Sequence, residues 1–241
     1  MNLYQGIAHY YDLLMNGGYY DHESMGRIIQ SAIGQRKRLL ELGIGTGLLT
    51  QSLLNLDSSV DITGIDFSPA MLSIAKRRLP SGVPLIECDV AEMSLGRKFE
   101  VAFSSGGTWV IIQSSEGLML GTHLFNHQKD VQGLRNVAAH LEPGGLLLLS
   151  VHPPHEERDI ELVDGIVYSQ KIEDNSDMSD HFAREKSYYF KKNGNILAEE
   201  TLTLGFYKDT LFPRMLADAG FEPLGMTDAD KFFVYEKVHT Y

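Results

Sequence analysis

The sequence predicts an α/β fold: a mostly parallel seven-stranded sheet with helices on both faces, and an antiparallel β-meander inserted after the fifth strand. Three observations carry this. From Arg38 to His152, short apolar runs alternate with segments that are apolar at helical spacing, separated by turns rich in glycine and aspartate. Parallel strands joined by crossover helices read this way. The run LLLLSVH (Leu146 to His152) is apolar enough for a strand buried on both faces. After His152 the helical spacing stops, and KKNGN (Lys191 to Asn195) carries the Asn-Gly signal of a tight hairpin.

The elements follow in order. Tyr4 to Met15 is helical in pattern and rich in tyrosine, and Gly17-Gly18 breaks it. A second helix is expected from Asp21 to Ile33, stopped by Gly34. Arg38 to Leu42 reads as a buried strand, Gly43 to Gly47 as a loop and Leu48 to Leu56 as a helix. Val60 to Asp66 is a strand, followed by a helix with Ser68 as its N-cap and Pro69 in its first turn. PLIECD and FEVAFSS (Phe99 to Ser105) are two more strands, and Asp130 to Leu141 is a helix ending at EPGG. Beyond His152, strands are expected over Ile160 to Tyr168, Phe182 to Lys192 and Ile196 to Tyr207. A helix from Asp209 to Ala219 and two strands close the chain. One domain is expected over 1–241: a helical lid (1–36), a core (37–152), a meander cap (153–207) and a closing unit (208–241).

Composition narrows the function. The chain has 241 residues, 43% hydrophobic and 22% charged, with a formal net charge of −11. A protein that neutralises many phosphates needs a basic face, and RKR (Arg36 to Arg38) and KRR (Lys76 to Arg78) are short clusters at element ends. Nucleic acid is therefore not the expected partner; a small molecule is. No run of 18 apolar residues predicts a membrane span, and the N-terminal stretch lacks the pattern of a signal peptide. Cys88 is the single cysteine, which excludes internal disulfides and fits a reducing cytoplasm. A monomer or homodimer is expected.

The stretch RLLELGIGTGLLT (Arg38 to Thr50) asks which ligand its glycines serve. The dinucleotide fingerprint G-x-G-x-x-G would need a glycine at Leu48, and a phosphate loop would end in Lys followed by Ser or Thr. Neither is present. Glu41, two residues before the loop, is a poor neighbour for pyrophosphate, so a cationic or neutral ligand is expected. Asp66, ending the next strand, suits ribose hydroxyls. Asp89, ending the third, suits an adenine amino group, with Phe67, Met71 and Val90 flanking the ring.

With ELGIGTG, GIDFSPAML, ECDVAEM, VAFSSGGTW and LEPGGLLLLSVH in this order and spacing, the chain resembles class I S-adenosylmethionine-dependent methyltransferases, which are Rossmann-like. The resemblance covers roughly Arg38 to His152. IAHYYDLL also looks like the Y-x-x-x-A-x-x-YD opening of many small-molecule members. It implies that Gly43, Ile44, Gly45, Thr46 and Gly47 wrap the methionine and ribose, with Glu41 beside them. It further implies that Asp66 binds the ribose, Asp89 and Val90 the adenine edge, and Ser104, Ser105 and Gly106 the side facing substrate. Tyr11 would close over the sulfonium. The cofactor implied is S-adenosylmethionine, leaving as S-adenosylhomocysteine. The meander layout is similar to natural-product enzymes, including aminosugar N-methyltransferases.

The expected chemistry is methyl transfer to nitrogen or oxygen of a small molecule. A protein or RNA acceptor, and a non-catalytic cofactor-binding partner, are the alternatives. Hydroxyl acceptors need a general base, and His152, at a strand's carboxyl end, is the candidate. Tyr4, Trp109 and Tyr207 are candidate substrate contacts, whereas Tyr189 and Phe206 read as core. No metal is expected: His123 and His127 lack a third ligand, and Pro153-Pro154 splits the cluster of His152, His155, Glu156 and Glu157.

Overall fold

The computed structural model describes residues 4–115, 117–177 and 180–238. The expected core is present. Strands β1 (Arg38–Leu42), β2 (Asp61–Asp66), β3 (Leu85–Glu87) and β4 (Phe99–Ser104) pair in parallel in the order β3-β2-β1-β4. Two unexpected strands come next, β5 (Trp109–Ser114) and β6 (Gly117–Thr122), an antiparallel hairpin. Strand β7 (Leu141–His152) then runs parallel to β4. Helices α1 (Ala8–Leu14), α2 (His22–Ile33), α3 (Leu48–Leu56), α4 (Pro69–Arg78), α5 (His127–His140) and α6 (Phe212–Asp218) complete the helical set.

Alternate residues of a strand face opposite sides of the sheet. In β1, Leu40 and Leu42 pack into the core around α5 and α6, while Leu39 packs with Ile29 and Ile33 of α2 and Leu49 and Leu53 of α3. Both faces are covered, so the strand reads as a continuous apolar run.

The cap departs from expectation in two ways. It holds four strands after β7 rather than three: β8 (Arg158–Glu161), β9 (Ile166–Asp177), β10 (His181–Lys192) and β11 (Asn195–Lys208). The stretch expected as one strand turns at Asp164 and Gly165, both with positive φ (58° and 69°). Asp-Gly is a strong hairpin signal that helical and strand patterning overlook. Second, the cap also takes the β5–β6 hairpin, which comes before β7 in the chain. β6 pairs with β11, so the order runs β5-β6-β11-β10-β9-β8.

Strand β7 joins the two halves. Leu146 to Leu149 pair with β4, Leu146 to Ser150 pair with the closing strand β13 (Phe232–Lys237), and Val151 and His152 pair with β5. β13 in turn pairs with β12 (Phe221–Met226). The cap therefore springs from the carboxyl end of the parallel sheet, where open α/β sheets bind ligands.

Candidate active site

The loop after β1 is held by backbone contacts. The N–H groups of Gly43 and Ile44 both donate to the Ile65 carbonyl, at 2.9 and 3.0 Å. Gly43, Gly45 and Gly47 have φ of 72°, 57° and 81°, the left-handed region that glycine enters without strain. Their surroundings differ. A Cβ on Gly43 would meet backbone atoms of Gly107 and Thr108 at 2.7–2.8 Å, and one on Gly47 the Leu79 side chain at 2.9 Å. A Cβ on Gly45 would meet nothing within 4 Å. Gly43 serves the fold; Gly45 faces open space.

Two carboxylates frame that space. Asp66 is 8% exposed, and its two oxygens accept from the N–H groups of Gly45 and Ser68, both at 2.8 Å. A carboxylate has about four lone-pair sites, so acceptor capacity is left for a ligand hydroxyl. Glu41 is 3% exposed and accepts from the Thr50 hydroxyl. Burial pushes its carboxyl up to about 8, against the Thr50 hydrogen bond, with the Asp66 charge adding to the rise.

The N-terminal segment closes this cleft and is tied at both ends. Arg78 of α4 pairs with Asp12 of α1 at 2.6 Å and donates to the Thr46 carbonyl in the loop. At the other end the Glu200 carboxylate on β11 accepts from the N–H groups of Tyr4 and Gly6. Between these ties Tyr4 and Tyr11 meet edge to face, with ring centroids 5.9 Å apart. Both line a cleft shared with Gly45, Asp66, Phe67 and Met71.

Behind them lies a cavity under the cap. Tyr4, Tyr11, Gly106 and His123 line both it and the cleft. Its far wall is His152, His155, Lys186 and Tyr188, with Phe206 beside them. His152 is half-buried, shares a hydrogen bond with the Ser150 hydroxyl (2.9 Å) and meets the Tyr20 ring edge-on. His123 shares one with the Tyr4 hydroxyl (2.9 Å). Burial pulls both imidazoles down to about 4, and His155 lower still, with the Lys186 charge adding to the fall. All three are neutral near pH 7. Sequence reasoning missed His123, His155 and Lys186 as cavity residues; Phe206, read as core, is 4% exposed in a buried cluster and also touches the cavity.

Other expected residues lie elsewhere. Trp109 and Tyr207, expected as substrate contacts, line neither the cleft nor the cavity: they are 0% and 4% exposed and bind the buried carboxylate of Asp130. Oδ1 of Asp130 accepts from the Trp109 indole (2.7 Å) and the Thr122 hydroxyl (2.5 Å), and Oδ2 from Tyr207 (2.8 Å). A buried indole or phenol needs such a partner, and α5 supplies it. Ser104 is also buried, accepting from the Trp109 N–H at 3.1 Å. Val90 is 3% exposed, packs near Gly133 of α5 and does not line the cleft. Asp89 caps the turn that follows it through the Ala91 N–H and pairs with Lys129 at 2.7 Å. Ile44, Thr46, Glu41 and Ser105 line an adjoining cleft, which shares Tyr11, Gly43, Gly45 and Gly107 with the first. His123 lies at the cavity, and His127 at the start of α5, its ring 5.7 Å from that of Tyr207. Among the described residues no three or more His, Cys, Asp or Glu side chains are grouped as metal ligands, and no helix is long and apolar enough to cross a membrane.

Comparison with known proteins converges on this site. Residues 39–145 match the family model described as a methyltransferase domain. The putative methyltransferase YqeM of Bacillus subtilis is 28% identical over 152 residues, covering 62% of this chain and 56% of that protein. A dTDP-3-amino-3,6-dideoxy-alpha-D-glucopyranose N,N-dimethyltransferase of Streptomyces fradiae is 30% identical over 150 residues, covering 59% and 52%. The chain thus spans about half the length of these curated relatives. Among solved structures, S-adenosylmethionine-bound CalS10, an amino pentose methyltransferase of Micromonospora echinaspora, superposes with a TM-score of 0.70. Identity is 18%, and 95% of this chain and 96% of that one are covered, so the likeness extends through the cap. The stretch that matches a methyltransferase domain, residues 39–145, holds the glycine loop and Asp66.

Proposed function

We propose that this protein transfers the methyl group of S-adenosylmethionine to a nitrogen or oxygen of a small-molecule acceptor and releases S-adenosylhomocysteine. The observation that carries the proposal is the continuity of the two spaces: Tyr4, Tyr11, Gly106 and His123 line the loop-side cleft and the inner cavity alike. A ligand held by the loop and an acceptor under the cap would meet there.

The residues fit this cofactor. Gly45 leaves room above the loop, Asp66 keeps acceptor capacity, and Glu41 is a buried carboxylate with no ion-pair partner among the described residues. The bound cofactor supplies an activated methyl on a sulfonium sulfur. The protein's part is then alignment and exclusion of water, which alone accounts for large rate factors. Tyr4 and Tyr11 close the cleft, and their aromatic faces suit a cation. An amine acceptor needs only its neutral form, and an amino sugar agrees with the names of the relatives. A hydroxyl acceptor needs a base, and the neutral His152 is placed for it. The charge of −11 supports a small-molecule acceptor over nucleic acid. The single cysteine agrees with a cytoplasmic setting, and we propose a monomer or homodimer.

S-Adenosylhomocysteine is expected to raise the melting temperature of the wild-type protein; no rise would sink the proposal. In methyl-transfer assays, His152→Ala is expected to lose at least about a hundredfold in kcat on a hydroxyl acceptor. It retains turnover on an amine. Loss on both with the cofactor still bound would give His152 a different role.

Glu41 offers a second test. With its carboxyl pushed up to about 8, Glu41 is protonated at pH 7 in the ligand-free protein. A raised carboxyl favours the fold at low pH, and that contribution is lost as pH rises from the ordinary carboxylate range through about 8. A ligand ammonium at this site favours the carboxylate. Binding near pH 7 is therefore expected to release about one proton, with affinity rising with pH and levelling above about 8. Calorimetry in two buffers of different ionisation enthalpy counts the protons. No release, together with unchanged affinity in Glu41→Gln, would remove Glu41 from the ligand.

A further inference from the structure

Lys186 has no use in holding the cofactor, yet it is buried at the cavity wall. It is 2% exposed, its register neighbours across β9 and β11 are Ile172 and Leu202, and its ammonium sits 4.8 Å from the centre of the Tyr188 ring. Nζ donates to the Tyr19 hydroxyl at 3.3 Å. Among the described residues no carboxylate pairs with it; the neighbouring charge acting on it is Arg158, of the same sign. Arg158 itself stacks on the Tyr19 ring, 4.7 Å from its centre, in an outer chamber that shares Tyr19, Tyr20, His152 and His155 with the inner cavity. Among the described residues, no aspartate or glutamate lines the inner cavity. Glu156 and Arg158 both line the outer chamber, and both are exposed.

A lysine taken out of water without a counter-ion is expensive, and proteins pair such groups or neutralise them. Burial pulls Lys186 down to about 7, so it stands at the point where a nearby anion would restore its charge. The chain's net charge of −11 repels anions at long range, so only local cations would draw one in: Lys186 on the inner cavity and Arg158 on the chamber beside it. We infer that the cavity takes an acceptor carrying its own negative group, a carboxylate or a phosphate, held by Lys186 and Arg158 while the atom to be methylated faces Tyr11 and His123. This rests on the methyl-transfer reading of the same site and names the acceptor class: an acidic small molecule.

The test uses the full chain saturated with S-adenosylhomocysteine, and inorganic phosphate and acetate as probes at constant ionic strength, with chloride as reference. At least one probe is expected to raise the melting temperature saturably, by about 2 °C or more. Lys186→Met should lose that rise, while S-adenosylhomocysteine still stabilises it. Lys186→Arg should keep it. If Lys186→Met does not fold, protection of Lys186 from acetylation by the same probes, read by mass spectrometry in the wild type, replaces it. No saturable rise with either probe, a rise that survives in Lys186→Met, or no protection would overturn the inference. Failure of S-adenosylhomocysteine itself to stabilise the wild type would instead sink the methyl-transfer reading.

Discussion

Asp130→Ala is expected to cost about 3–5 kcal/mol of folding stability. The carboxylate is 0% exposed and gathers donors from three elements: Trp109 on β5, Thr122 on β6 and Tyr207 on β11. Removing it leaves an indole N–H and two hydroxyls facing a cavity lined by core, each short of a partner. Burial pushes the Asp130 carboxyl up, and these three hydrogen bonds oppose the rise. Asp130→Asn keeps one oxygen for Trp109 and Thr122, and its amide can donate to the Tyr207 oxygen. Its expected loss is about 1 kcal/mol. Chemical denaturation of the three proteins measures this. An alanine variant within about 0.5 kcal/mol of wild type would show that the cluster does not hold cap to core.

Gly45→Val is expected to lower S-adenosylhomocysteine affinity at least tenfold, or about 1.4 kcal/mol, with the fold intact. The φ of 57° makes a β-branched residue strained, at about 1–3 kcal/mol, but no protein atom lies within 4 Å of the new Cβ. Its methyl groups enter the space above the loop. Gly43→Ala makes the opposite case, because its Cβ would strike the backbone of Gly107 and Thr108. Stability and binding should fall together there. Calorimetric titration beside denaturation separates the two, and unchanged affinity in Gly45→Val would place the ligand elsewhere.

The contrast between those glycines shows what the chain order makes legible. The spacing of Gly43, Gly45 and Gly47 marks a ligand loop, but which glycine the backbone needs depends on β4 arriving beside β1 with Gly107 in the turn that follows it. Lys186 is similar. Lys186, Tyr188 and Phe190 alternate inward along β10, so a lysine on an aromatic face was available as a signal. Its meaning depends on Arg158 and the histidines, brought to it from other parts of the chain. The burial of Trp109 and Tyr207 was not legible for a related reason. Large aromatics suit a pocket or a core equally, and the deciding group, Asp130, lies on a helix 21 residues beyond one and 77 before the other.

What can be read along the chain is what depends on neighbours in sequence: the alternation of β1 to β4 and β7 with helices, the Ser68 cap, the glycine loop with Glu41 before it, and Asp66 at the next strand's end. Hydrophobic periodicity and turn chemistry act over a few residues, and they suffice for the sheet and the cofactor side. The acceptor side is assembled differently. It needs β7 to leave the parallel sheet at Val151 and pair with β5, and β11 to pair with β6. Only then do Tyr4, His123, His152 and Lys186 line one cavity. Long-range strand pairing leaves no local period in the sequence, so the cavity's membership and its unpaired cation were settled by the tertiary structure alone.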